Sequence, residues 1–192
     1  MVAACPVRSL DRYGNAAGRR YDGGRPVVVR QVSRTRKATG VVSLGLLVLR
    51  LIVGGIMAVH GYAKVFGGEG KGETVSPEAE KLLGKGFAQH VNQGGISNLA
   101  GAMQYLQIPS PTPAAAALMA TELGGGLALI LGWHTRPAAL ALTISQLVAI
   151  QKVHGPHGMF SGGEVPGWEL NAALAAATGA LFLTGSGALA LD

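Results

Sequence analysis

What constrains this chain most is a set of ionisable residues planted inside, or at the edges of, four apolar stretches. Arg50, His60 and Lys64 lie along the first stretch, Glu122 inside the second, His154 at the end of the third and Glu169 at the start of the fourth. A charged side chain at the centre of a bilayer costs about 2.5–3.5 kcal/mol even on the lenient insertion scale, so such residues usually face a bundle interior or an aqueous cavity. The pattern predicts a small membrane protein with a buried polar site.

Composition agrees. Mean hydropathy is +0.34, charged residues make up 14% of the chain, and there are 30 glycines, which suits transmembrane helices whose backbones approach closely. The single cysteine excludes an internal disulfide framework. The formal charge of +6 belongs to the N-terminal tail, because residues 1–40 hold nine Lys/Arg against Asp11 and Asp22. That Arg- and Gly-rich tail has no apolar periodicity and reads as a disordered cytoplasmic arm that fixes orientation by the positive-inside rule. An organelle transit peptide is the alternative, since it is also Arg-rich and acid-poor. Nothing aromatic or helical organises these arginines for nucleic acid, so none is expected as a partner.

Four spans follow, at about 41–63, 114–133, 137–154 and 168–183, the first long enough at about 1.5 Å per residue to cross a core of about 30 Å. The fold class is therefore all-α: an integral membrane four-helix bundle over 41–192, with a long helical loop between spans 1 and 2. In that loop Ser76-Pro77-Glu78 reads as a helix start, and Leu83, Phe87 and Val91 share one face. A second amphipathic piece carries Leu99, Met103 and Leu106. The loop either packs on top of the bundle or forms a lid over a membrane site. Counting basic residues puts the tail and the turn at Arg136 on the cytoplasmic side of the inner membrane, with both termini cytoplasmic, or places the protein in an organelle membrane if the tail is a transit peptide.

Helix geometry draws the ionisable groups together. Arg50, Gly54, Met57, Gly61 and Lys64 fall on one arc of the first helix, with His60 about 80° from Arg50, and Thr143, Gln146, Ile150 and His154 share a face of the third. His60, Lys64, His154 and Glu169 lie within about two turns of the outer helix ends, with Arg50 and Glu122 deeper. A cluster near the outer leaflet is expected, with Arg50 snorkelling toward Glu122 as a compensating pair beneath it. That pair is either structural or the floor of a site, and Lys64 on its own reads as a solvated interfacial lysine. Two imidazoles beside carboxylates can relay protons near neutral pH. No metal site is expected: Gly155-Pro156 between His154 and His157 prevents a helical ligand pair, and no cysteine cluster accompanies them.

Leu49-Arg50-Leu51, His60-Gly61-Tyr62-Ala63-Lys64-Val65-Phe66-Gly67, Ile108-Pro109, Glu122-Leu123-Gly124-Gly125, Leu131 to Ala139, Val153-His154, and Leu183 to Gly187 with Leu191-Asp192 occur in an order that resembles the DoxX family. The likeness covers nearly all of Gly45 to Asp192. The loop from Gly67 to Ile108 is longer than the family's usual one, and the basic tail lies outside the pattern. The resemblance implies a four-helix inner-membrane protein, in a family named for subunits linked to quinone-dependent oxidation of reduced sulfur compounds, with some members resembling membrane partners of detoxification enzymes. Carried over residue by residue, Arg50, His60, Lys64, Glu122, His154 and Glu169 are the matching polar positions and the candidate cofactor-binding set. Two functions are consistent with them. One is a quinone-interacting subunit of an oxidoreductase system, taking electrons from a redox enzyme partner. The other is a non-catalytic scaffold or accessory subunit of a redox or detoxification complex. Haem held by His60 and His154 ranks below quinone, because neither histidine lies at mid-membrane depth. A homo-oligomer in the lipid bilayer is compatible with either function.

Overall fold

A computed structural model of the chain describes residues 20–22, 25–27, 32–160 and 166–192. The chain divides into two compact units, Met1–Thr39 and Gly40–Asp192. In the first, strands β1 (Arg20–Asp22) and β2 (Arg25–Val27) pair antiparallel, with Arg20 opposite Val27. The expected disorder or transit function of the tail falls largely on residues outside those described.

The second unit is helical. Its elements are α1 (Val32–Phe66, of which Gly40 onward belongs here), α2 (Pro77–Leu83), α3 (Gly86–Asn92), α4 (Ile96–Tyr105), α5 (Pro111–Leu131), α6 (Thr135–Ala149) and α7 (Glu169–Thr184). A short 3-10 turn, Lys71–Thr74, precedes α2, and a π turn, Ile150–His154, extends α6. Pro111 and Pro113 are tolerated because they occupy the first turn of α5, where backbone N–H groups have no helical acceptor to lose. The start at Ser76 is as expected: its hydroxyl accepts the Ala79 N–H at 3.2 Å, with Pro77 at the first position. The Leu83-Phe87-Val91 face is not one helix, because Gly84 breaks the chain at φ +88 between α2 and α3.

The core joins α1, α5, α6 and α7 through Val53, Met57, Leu129, Ala139, Leu142, Leu174 and Leu181. α6 packs on both α5 and α7, and α4 packs on α5. Outward-facing positions are apolar: Val42, Leu44 and Ile52 on α1, Leu127 and Leu131 on α5, Ile144 and Leu147 on α6, and Leu183 on α7 are all exposed. Inside lie Arg50, Glu122, Gln146 and Thr178, so the usual polarity of a soluble protein is inverted. Gly40–Phe66 and Pro111–Leu131 are long and apolar enough to cross a membrane, and only 22% and 39% of their most apolar windows are buried. The core helix of a soluble protein would be mostly buried instead.

Glycines set how α1 lies on α5. A Cβ at Gly61 would stand 2.6 Å from Leu123 Cα, and one at Gly126 would stand 2.5 Å from Ala58 N and 2.8 Å from Gly54 O. The two backbones therefore touch, antiparallel, with Gly61 level with Glu122–Leu123 and Gly54 level with Gly126–Ile130. Such close approach is how helices associate where lipid offers no hydrophobic drive between them. On Gly124, two residues from Gly126 on the same helix, a Cβ would meet nothing within 4 Å. Gly126→Leu is therefore expected to lower stability in detergent by about 1–3 kcal/mol, and Gly124→Leu to leave it within about 0.5 kcal/mol. Thermal unfolding of the two variants side by side checks this, and equal losses would contradict the packing described.

Candidate functional site

The glycine register decides which charges can meet. Glu122 is level with Gly61, which is eleven residues from Arg50 along α1, or about 16 Å at 1.5 Å per residue. The Arg50 stem cannot span that, and the expected Arg50–Glu122 pair does not form.

Arg50, 1% exposed, turns toward the opposite end of the helices. Its Nη1 donates to the Ser186 carbonyl at 3.1 Å and its Nη2 to the Leu189 carbonyl, both in the segment that follows α7. Gly132, which closes α5 at φ +64, lies against the guanidinium, and a Cβ there would overlap it. The same segment is tied down along its length. Ala188 N–H donates to Ser43 O at 3.1 Å, and the N–H groups of Leu191 and Asp192 share the Gly132 carbonyl, each at 2.9 Å. The Asp192 carboxylate then accepts the N–H groups of His134 and Thr135, supplying the cap that α6 otherwise lacks. Desolvation raises the Asp192 carboxyl, but these donors, with the Thr135 hydroxyl and the charge of His134, outweigh it and hold it below the usual carboxylate range. Arg50 is thus the clamp of a docked C-terminal segment.

Glu122 pairs instead with Lys64, whose ammonium donates to Oε2. The two are unequally buried: the Lys64 side chain is 26% exposed and that of Glu122 6%. Lys64 is therefore a buried-pair partner, not the solvated interfacial lysine that its position near the helix end suggested. Beside it, His60 meets His90 of α3 edge-on, ring centroids 5.4 Å apart. A cavity of about 530 Å³ opens here, lined by His60, Lys64, Glu69, His90, Asn92 and Asn98 among others. The loop is what closes it. Gly95 N–H donates to the Lys64 carbonyl at 2.8 Å, Gly68 N–H donates to Val91 O at 2.8 Å, and Asn98 Nδ2 holds Gly94 O at 3.0 Å.

The other two expected members lie elsewhere. His154 sits on the π turn, where i→i+5 bonding widens the helix and spoils a count of 100° per residue, so it leaves the face shared by Thr143 and Gln146. Its Nδ1 is 2.8 Å from the Pro166 carbonyl. Glu169 opens α7, its backbone N–H donating to Met159 O at 3.1 Å. Thr143 and Gln146 do point inward. The Thr143 hydroxyl is 2.8 Å from that of Thr178, and Gln146 Oε1 accepts from Asn171 Nδ2 at 2.9 Å, with its Nε2 3.7 Å from Met57 Sδ. Asn171 went unnoticed because it is polar without being ionisable. His90 and Asn98 went unnoticed because nothing in a loop's sequence says which residues fold back on α1.

Removing one member of a buried ion pair costs about 3–5 kcal/mol, because the other is stranded. Lys64→Met strands the more buried carboxylate and is expected to cost more than Glu122→Leu, which leaves an ammonium that can reach solvent. The Lys64→Met, Glu122→Leu double variant should recover much of either loss. Chemical denaturation in detergent checks the cycle, and additive losses would mean that the residues do not interact.

The DoxX family model matches residues 45–155 of the chain. No curated protein and no solved structure matches it. That match takes in α1 from Gly45, the whole loop, α5, α6 and the π turn, and it includes His60, Lys64, Glu122 and Arg50. The chain belongs to the DoxX family of membrane proteins.

Proposed function

We propose that α1, α5, α6 with its π turn, and α7 cross the inner membrane as a four-helix bundle, with both ends of the chain cytoplasmic, and that the protein is a quinone-interacting subunit of an oxidoreductase system. The observation that carries the reading is the cavity at the loop-covered end of α1, where His60, Lys64 and His90 converge. A quinone presents two carbonyl acceptors, and this wall carries donors in Lys64 and the two imidazoles. An ammonium has three N–H groups, of which Lys64 spends one on Glu122. His60 and His90 add imidazoles that donate, accept or relay protons, and exposed His90 connects them to solvent. A bound quinone would supply two-electron chemistry, and the chain's part is to orient the head group and move protons. Electrons come from a partner enzyme in this reading. Relative to the sequence expectation, Arg50, His154 and Glu169 do not line the proposed site and His90 joins it.

A scaffold or accessory role has its own support: the Lys64–Glu122 pair and the Arg50 clamp both have structural jobs. The readings separate on purification in mild detergent. The quinone reading expects quinone in the extracted lipid fraction by mass spectrometry, and a His60→Ala variant that binds a short-chain quinone about ten-fold more weakly, a loss typical of one hydrogen bond. Quinone-free protein with binding unchanged by His60→Ala would overturn it, and stoichiometric co-purification with an enzyme would then favour the scaffold.

A further inference from the structure

A second cavity, of about 560 Å³, lies on the flank of α1 away from His60 and Lys64. Ala58, Val59, Tyr62 and Phe66 line it from α1, whereas His60, Ala63 and Lys64 line the polar cavity. At 100° per residue these sets occupy opposite sides of the helix, so α1 separates the two spaces. The second wall is apolar: Leu123 and Leu127 from α5, with Leu83, Phe87 and Val91 from the loop helices. Tyr62 stacks with Phe87 at 6.5 Å and tilts against Phe66 at 4.9 Å, giving a continuous aromatic side.

We propose that this groove binds an anionic phospholipid, with an acyl chain along the aromatic wall and the phosphate on Lys71. Three observations commit it to that occupant. First, the groove is continuous with the apolar exterior of the two long helices: Tyr62, Phe66 and Leu127 are each about half exposed. Second, Lys71 is the one charged residue among those lining it, and it is a cation. Its Nζ is anchored to the Phe66 carbonyl at 3.0 Å, which places an ammonium with two further N–H groups where α1 ends. Third, apart from the Tyr62 hydroxyl the remaining polar side chains of the lining, Thr74 and Ser76, belong to the same short stretch as Lys71, so polarity is concentrated at one end of a largely apolar trough. An aromatic band topped by a cation is the arrangement that meets a lipid at the boundary between acyl chain and head group. The proposal is independent of the quinone reading, since none of its residues lines the polar cavity.

Native mass spectrometry of the full chain in mild detergent tests it, with phosphatidylglycerol and phosphatidylcholine as probes. The wild type should retain phosphatidylglycerol in preference to phosphatidylcholine. Lys71→Ala should weaken phosphatidylglycerol binding roughly five-fold, the worth of one basic residue at a lipid surface, and Lys152→Ala, another exposed lysine, should not. Ala79→Trp, which fills the groove from the surface helix α2, should abolish retention while leaving the melting of lipid-free protein unchanged. Equal retention of both lipids, or retention that survives Ala79→Trp, would overturn the proposal, as would a quinone displaced by Ala79→Trp.

Discussion

The contact on which the rest of the structure depends is the backbone-to-backbone approach of α1 and α5 through Gly61 and Gly126. With no Cβ between them, the helices have one register in which they close, and that register decides the fate of every charge along them. Lys64 arrives beside Glu122, whereas Arg50 is carried past the end of α5 to Gly132. A slip of one turn, about 5.4 Å, would strand a carboxylate and an ammonium in apolar surroundings. The ion pair and the glycine contacts therefore enforce the same alignment, one by attraction and the other by shape.

The charges serve the two ends of the bundle differently. At the end where α6 begins, Arg50 closes the structure: it spends its donors on carbonyls of the segment after α7, and Asp192 in that segment caps α6. At the loop end the structure stays open, with an ion pair at the edge of a cavity and two imidazoles in edge-on contact in its wall. Between the ends, Leu129, Leu142 and Leu181 are fully buried and leave the interior apolar. The polar groups at mid-depth, Thr143 with Thr178 and Gln146 with Asn171, satisfy one another in pairs. The loop end is thus the open one, and the other end is a latch.

Much of this was legible in the sequence and some was not, for definable reasons. Apolar length located α1 and α5, and the helix start at Ser76 followed from capping chemistry, whereas α5 begins at Pro111, three residues before the expected start at 114. The placing of His60 and Lys64 near one end followed from counting residues per turn, whereas Glu122 was expected deeper, beside Arg50. The partner assignment failed because a straight count from each helix end ignores register, and register resides in glycine contacts between helices, which a single helix's sequence does not reveal. His154 was misplaced by a local event, the π turn at Ile150–His154, which has no signal in hydrophobic periodicity. The clamp on Ser186 and Leu189 was hidden because its acceptors are backbone carbonyls, present at every position and therefore unmarked in sequence.

The central claim is that Glu122 belongs to Lys64 and not to Arg50. Solid-state NMR on the protein in lipid bilayers, with 15N-labelled Lys and Arg side chains and 13C-labelled Glu carboxyls, measures it directly. The account predicts a dipolar contact between Lys64 Nζ and the Glu122 carboxyl within about 4 Å, the usual limit of an ion pair, lost in Glu122→Gln, with no contact from the Arg50 guanidinium to that carboxyl. A contact from Arg50 to Glu122, or none from Lys64, would contradict the register and with it the division of the bundle into an open end and a latched one.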